Sequence, residues 1–228
     1  MTTHTNRLIF GAAYYDEYTP ASAGKDRLER DMQMMVDAGF TTIRIAEFTW
    51  GTWNPAPGVF DWHHIDRAID AAAAHGLDVI VGTPTAAVPT WLAARHPEVM
   101  GVAASGQPNQ YGPRQNMDIT APAYRYYGEQ AIRALVGHTA GRTNVIGFQL
   151  DNETKYYDAY NAGIQRAFVD TLKTRFDGDL DALNAAYGLS YWANRVNAWE
   201  EFPDVSMTVN GSLGAAFDAF RRGLVTEF

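Results

Sequence analysis

The residues whose types and order could do chemistry stand in the stretch VIGFQLDNETKYYD, which begins at position 145. Its apolar run ends in Asp151, Asn152 and Glu153, and an aromatic pair, Tyr156 and Tyr157, follows. A protonated carboxyl is what acid-catalysed cleavage of a glycosidic bond requires, usually with a second carboxylate across the sugar ring. The Asn152 amide can donate to a sugar hydroxyl. The alternative is that Asp-Asn-Glu forms the N-cap and first turn of a helix.

Three further side chains are candidates for contacting a substrate. Glu47, in IRIAEFTW, follows another apolar run and either lines a pocket or forms an ion pair with Arg44 or Arg114. Arg114, in QYGPRQN, offers fixed donors that suit two sugar hydroxyls, or is an ordinary loop arginine. Trp50, in FTWGTWNPAPG, is either a platform for a sugar ring or part of a loop core.

Other chemistries find little support in the sequence. His63 and His64 are adjacent at a predicted helix start, so their side chains point in different directions. No H-x-x-x-H pair and no G-x-S-x-G motif occurs, and the chain has no cysteine. We therefore expect no metal site and no cofactor.

The elements that must position these residues alternate between strands and helices. Apolar runs predict strands at residues 8–14, 41–46, 77–81 and 145–150, the first of them buried. Helical spacing predicts helices at residues 24–38, 62–75, 121–140, 161–176 and 213–226. Gly39 and Gly76 follow the first two helices as stop signals. Such alternation is typical of parallel βαβ units.

The loops distinguish between two parallel architectures. Links from helix to strand are short, whereas links from strand to helix, such as residues 47–61 and 82–120, are long. A (β/α) barrel builds its active site from the loops after its strands. The competing doubly wound sheet usually has G-x-G-x-x-G after its first strand, where this chain reads AAYYDEYTP. We therefore expect an α/β fold of the (β/α)8 TIM-barrel type.

The number of units predicts only part of such a barrel. Four strand–helix units are recognisable, whereas a full barrel needs eight and about 250 residues. The sequence thus predicts that residues 1–228 are the incomplete N-terminal half of a barrel catalytic domain.

Composition excludes several classes of partner. The 228 residues carry 18 basic and 26 acidic side chains, with a formal net charge of −8 and no basic stripe, which argues against nucleic acid. No stretch reaches the roughly 20 apolar residues of a membrane span. The start, MTTHTNRLIF, does not fit a secretory signal, and the absence of cysteine suits a reducing compartment, so we expect a cytoplasmic protein.

Several segments together resemble a known family. FGAAYYDEYTP, MVDAGFTTIRIAEFTWGTWNPAPGVFDW, YGPRQNMDITAPAYRYY and IGFQLDNETKYY are similar to the N-terminal part of glycoside hydrolase family 42, the β-galactosidases. The resemblance implies a (β/α)8 barrel followed by further domains, and a homotrimer for the full-length form. It also implies that Glu153 is the general acid/base, that Asn152 binds the hydroxyl beside the reacting carbon, and that Arg114 binds substrate.

The resemblance also predicts what the chain lacks. The family's nucleophile is a glutamate near the seventh strand, so we expect it beyond residue 228 and expect the chain alone to be inactive or nearly so. The zinc-binding cysteine cluster of some members is impossible here. The complete enzyme would remove terminal β-D-galactosyl residues with retention. The alternatives are another retaining β-glycosidase of the same clan, an inert half-barrel that binds sugar or needs a partner chain, and a metal-dependent hydrolase.

Overall fold

The computed structural model describes residues 8–19, 22, 24, 26–153, 159–205 and 210–227. Its sheet contains four parallel strands: β1 (Gly11–Ala13), β2 (Thr42–Ile45), β3 (Asp78–Gly82) and β4 (Val145–Gln149). Their spatial order is the same as their order along the chain. Because a doubly wound sheet reverses its strand order at a switch point, this order favours one side of a barrel wall.

The helices lie close to the predicted spans, and three short ones were not predicted. The predicted ones are α1 (Arg27–Asp37), α3 (His63–Ala74), α5 (Pro122–Thr139), α6 (Ala162–Arg175) and α8 (Gly211–Gly223). The others are α2 (Trp50–Trp53), α4 (Thr90–Arg95) and α7 (Leu180–Tyr187). Gly39 and Gly76 have φ of 82° and 70°, the left-handed conformation that ends a helix. None of the helices in the described ranges is both long and apolar enough to cross a membrane.

The chain divides into two compact units, and the first contains the sheet. It comprises Met1–Ala94 and Tyr126–Glu153. Ile43 and Val79 point from the strands into its core, and Met32 and Ile69 of the surrounding helices are also fully buried. Burial of these apolar side chains is what fixes the helices against the sheet.

The second unit comprises Arg95–Arg125 and Thr154–Phe228 and has its own core. Leu172 and Phe168 of α6, Leu183 of α7 and Phe217 of α8 are buried together. The rings of Phe168 and Phe217 meet edge to face with centroids 5.1 Å apart. Side chains of three helices therefore form one apolar centre in this unit.

The prediction that the first strand is buried is wrong. β1 has only three residues, all exposed, and Leu8 before it is 79% exposed. In the described part of the chain β1 pairs only with β2, so its other edge has no neighbouring strand. The apolar run correctly predicted a strand, but burial depends on neighbours that a sequence pattern does not reveal.

Candidate active site

The carboxyl ends of the strands bring several predicted residues to one edge of the sheet. Glu47 follows β2, and Asn152 and Glu153 follow β4. Gly82, the last residue of β3, is in register with Gln149, the last of β4. Because the strands are parallel, residues just beyond their ends lie along the same edge, which is where barrel enzymes place their active sites.

The backbone after β4 adopts an unusual conformation that the neighbouring strand end supports. Asp151 and Glu153 have φ of 53° and 49°, in the left-handed region. The Asp151 N–H donates to Thr83 Oγ1 at 2.7 Å, and the Thr85 hydroxyl donates to Asp151 Oδ1 at 3.0 Å. Left-handed non-glycine residues cost free energy, and they concentrate at functional sites. This geometry does not fit the first turn of a helix, so it disfavours the helix-cap alternative for Asp-Asn-Glu.

Gln149 orients the side chain of Asn152. Its Nε2 donates to the Asp151 carbonyl at 2.7 Å and to Asn152 Oδ1 at 3.3 Å. Since Asn152 Oδ1 accepts from within the protein, the NH2 group is the end of the amide suited to donate to a ligand. Glu153 is exposed. The aromatic pair Tyr156 and Tyr157 lies outside the described residues.

Glu47 is fully buried and forms the ion pair with Arg44 that the sequence left as an alternative. Its Oε1 accepts from Arg44 Nε at 2.9 Å and from the Tyr15 hydroxyl at 2.5 Å. Its Oε2 has no hydrogen-bond partner among the described residues. Burial, and after it the hydrogen bond to Glu47, raises the pKa of Tyr15, which keeps the phenol protonated as a donor.

Trp50 lies in the interior of the first unit. Its ring is fully buried, and its indole N–H donates to Asn54 Oδ1 at 2.9 Å. Gly128 of α5 lies beside the ring, since a Cβ at that position would be 3.9 Å from Cη2. No face of this ring is open to a sugar, so the arrangement favours the loop-core alternative.

Arg114 belongs to the second unit. It is exposed in a loop, and Gln115 after it has a left-handed φ of 58°. Antiparallel bridges join Met100 to Met117 and Val102 to Pro108 in the same region. The first unit thus holds Glu47, Trp50, Asn152 and Glu153, while Arg114 is presented by the second.

The residues that hold the candidate site in place were not predicted from the sequence. These are Tyr15, which bonds Glu47, and the residues that support the turn after β4: Thr83, Thr85 and Gln149. Arg44 was considered only as a partner for Glu47. The sequence nevertheless indicates a special role for Arg44, because it is the one charged residue in the strand TIRI.

The described ranges contain no group of three or more His, Asp or Glu side chains arranged to hold a metal ion. His63 is exposed, whereas His64 is half-buried, and the two do not act as a pair. Among the described residues, the chemistry available at this edge is therefore that of carboxyl, amide, hydroxyl and guanidinium groups.

Comparison with known sequences places this geometry in a family. The sequence model of glycoside hydrolase family 42, described as beta-galactosidase, matches residues 17–228. A beta-galactosidase of Thermus thermophilus is 36% identical over 204 residues, which cover 88% of this chain and 31% of that protein.

Solved structures agree with the sequence comparison. The chain superposes with a TM-score of 0.84 on a catalytic mutant of Gan42B, a GH42 beta-galactosidase from G. stearothermophilus, at 26% identity, covering 96% of this chain and 33% of that one. For the polyextremophilic beta-galactosidase of Halorubrum lacusprofundi the TM-score is 0.82 at 30% identity, with 95% and 33% covered. These relatives are TIM barrels, so the predicted fold class is confirmed, with the four parallel strands forming half of such a barrel. The chain belongs to glycoside hydrolase family 42, the β-galactosidase family, and spans about a third of the length of the relatives it matches.

Proposed function

We propose that this chain carries one half of the catalytic apparatus of a retaining β-galactosidase, with Glu153 as general acid/base. The observation that carries the proposal is the position of Glu153. It follows β4 at the carboxyl edge of the sheet, beside an Asn152 whose amide is oriented by Gln149. A family 42 chain with a carboxyl group in this place has one of the two carboxyls that glycoside hydrolysis needs.

The two steps of the reaction assign Glu153 opposite roles. In the first step a nucleophilic carboxylate forms a bond to the anomeric carbon, the glycosidic bond breaks, and Glu153 gives its proton to the leaving oxygen. In the second step Glu153 takes a proton from water, whose oxygen attacks the same carbon and releases the enzyme carboxylate. Two inversions at one carbon give net retention.

The nucleophile is proposed to be a glutamate from a part of the barrel that this segment does not contain. Support comes from the coverage, since the matched relatives are about three times as long. The proposal requires the two carboxyl groups to lie about 5 Å apart in a structure of the complete enzyme, because an inverting pair lies roughly 6.5–9.5 Å apart. The homotrimer stays a prediction for the same longer protein.

The remaining candidates take supporting roles in this proposal. Asn152 donates to the hydroxyl beside the reacting carbon, and Arg114 donates to sugar hydroxyls. Glu47 is fully buried, so we assign it the positioning of Arg44 and Tyr15 instead of direct substrate contact. Trp50 is buried as well and keeps a packing role.

Hydrolysis of a nitrophenyl β-D-galactoside tests the proposal. We would compare the chain alone, the chain joined to the further segment that its relatives carry, and the Glu153→Gln variant of the joined form. We expect turnover only in the joined form, and a loss of about 10²–10⁴-fold on substitution. Turnover by the chain alone would require a second carboxylate within these residues, and Glu47 would then be the first to test.

Two alternatives remain testable in the same assay. Faster hydrolysis of the glucoside than of the galactoside by the joined form would support another β-glycosidase of the same clan. Galactose binding without turnover in every form would support a sugar-binding half-barrel.

A further inference from the structure

The second unit carries a cleft of about 360 Å³ between helix α6 and residues 199–204. We propose that this cleft is a second saccharide-binding site, separate from the strand ends that hold Glu153. The proposal extends the proposed function, because galactosides are the saccharides that the chain would meet. It rests on an aromatic surface, a set of charged side chains that form no ion pair with other described residues, and one buried amide.

The aromatic surface consists of Trp199 and Phe202. Their rings are parallel within 8° and their centroids are 6.1 Å apart, so the rings are displaced sideways and together widen the flat apolar surface. Both rings are partly exposed. The Trp199 indole N–H donates to the Gly178 carbonyl at 3.1 Å, which fixes the orientation of the ring. A fixed, partly exposed aromatic surface suits the C–H face of a sugar.

The charged side chains around the cleft include both signs. Arg166 and Asp170 come from α6, and Glu200 and Asp204 from the facing segment. Within the described residues, none of the four forms an ion pair within 4.0 Å. Lys173 lies over the Trp199 ring, with Nζ 5.6 Å from its centroid.

This mixture of charges favours a neutral ligand. The two cationic and three anionic side chains leave the cleft with a small negative charge, which argues against phosphate or another anion. A sugar hydroxyl both donates and accepts, so it can bond carboxylates and guanidinium groups in the same cleft. Charged donors and acceptors make the stronger of such hydrogen bonds.

Gln165 supplies the buried amide. Its side chain is 5% exposed and lines the cleft, and its Oε1 accepts from the Val205 N–H at 3.1 Å. Its Nε2 has no hydrogen-bond partner among the described residues. A buried donor without an acceptor is costly, and an oxygen brought in by a ligand would satisfy it.

A nitrogen-15 NMR titration of the chain with lactose tests the proposal. We expect saturable shifts of the Trp199 indole N–H and of the backbone amides around Arg166. The Arg166→Ala, Asp170→Ala double variant changes two exposed residues of α6. Its affinity for lactose should fall about tenfold or more, because each substitution removes a charged hydrogen bond to the sugar. Arg30→Ala, an exposed change in the first unit, should leave the affinity unchanged.

The outcomes separate this proposal from the proposed function. Lactose shifts confined to Asn152 and Glu153 would overturn the second site and leave the proposed function standing. Shifts confined to the cleft would support the second site, while the proposed function is tested separately by the galactoside assay of the joined form. Lactose binding that persists in the double variant, or larger shifts at Trp199 with inorganic phosphate than with lactose, would overturn the second site. A Trp199→Ala variant adds a test of the aromatic surface, and the double variant decides the question if that protein does not fold.

Discussion

At the scale of single residues, Glu47 is the most deeply buried carboxylate described in the first unit. It is fully buried, and its Oε1 receives the Tyr15 hydroxyl and the Arg44 guanidinium. Because Arg44 is partly exposed, removing its partner does not leave a fully buried charge. We therefore expect Glu47→Gln to lower the free energy of unfolding by about 1–3 kcal/mol, measured by urea denaturation.

A matched control exists on the surface of α5. Glu129 pairs with Arg133 at 2.8 Å, and both side chains are more than half exposed. Exposed pairs of this spacing contribute about 0.3–0.5 kcal/mol, so Glu129→Gln should have a correspondingly small effect. Equal losses for the two variants would contradict the structural role assigned to Glu47.

His64 makes the stability of the first unit depend on pH. Burial lowers the pKa of His64 below its ordinary value of 6.5, against the opposing charges of Asp16 and Asp61. The folded state therefore binds fewer protons than the unfolded chain. The stabilisation is present above pH 6.5 and is lost as the pH falls through the folded-state pKa.

We expect the free energy of unfolding to decline as the pH falls below 6.5, and His64→Gln to flatten that decline, because glutamine does not titrate. Urea denaturation at several pH values measures both slopes. His63→Gln, a change at the exposed neighbour, is the control. This variant retains His64, so it should still show the part of the decline that His64 causes. An unchanged slope in His64→Gln would show that other groups cause the decline.

The sequence predicted where the candidate acid lies but not what holds it. Glu153 was identified because it ends an apolar run, and the end of a strand is a local property. Thr83 bonds Asp151 from 68 residues away, and no local pattern indicates such a partner. For Trp50 the sequence allowed both a sugar platform and a loop core, because burial of a loop tryptophan depends on packing against distant helices.

At the scale of elements, β2 and β3 are in close contact beside the candidate site. A Cβ at Gly82 would lie 2.6 Å from the Cβ of Glu47 and 3.0 Å from its Cα. Gly82→Ala therefore forces the end of β3 away from Glu47. We expect it to lower the free energy of unfolding by about 1–3 kcal/mol.

Gly147 in the middle of β4 is the matched control. A Cβ there would meet nothing within 4 Å. Gly147→Ala should therefore leave the free energy of unfolding unchanged or raise it by up to about 1 kcal/mol, because alanine lowers the conformational entropy of the unfolded chain. Denaturation curves of the two variants measure the difference. A tolerated Gly82→Ala would mean that the strand ends are less closely packed than the structure describes.

Glycine correctly marked the ends of the first two helices. The first two helices were expected at 24–38 and 62–75, and are found at Arg27–Asp37 and His63–Ala74, before Gly39 and Gly76. The shorter α2, α4 and α7 were missed, because four to eight residues give too few turns for a clear apolar period. α2 and α4 lie in the long segments that follow β2 and β3, whereas α7 follows α6.

At the scale of the whole molecule, four parallel strands in consecutive order form one half of a barrel wall. The prediction of the barrel from loop lengths was right because barrels of this type build their active sites from the loops after the strands, which are therefore long. Leu8 before β1 and Leu150 after β4 are 79% and 80% exposed, at the two outer strands of the described sheet. In a closed barrel such positions would be covered by neighbouring strands.

Glu153 is proposed to be the general acid/base of a retaining galactosidase. The most direct measurement uses the joined form with Glu153→Ala, a dinitrophenyl β-D-galactoside and added sodium azide. The activated leaving group needs no acid, so the galactosyl-enzyme should still form, and azide, which needs no general base, should restore turnover. We predict β-galactosyl azide as the product, identified by NMR. An unchanged rate with azide, or an α-configured azide, would contradict the account.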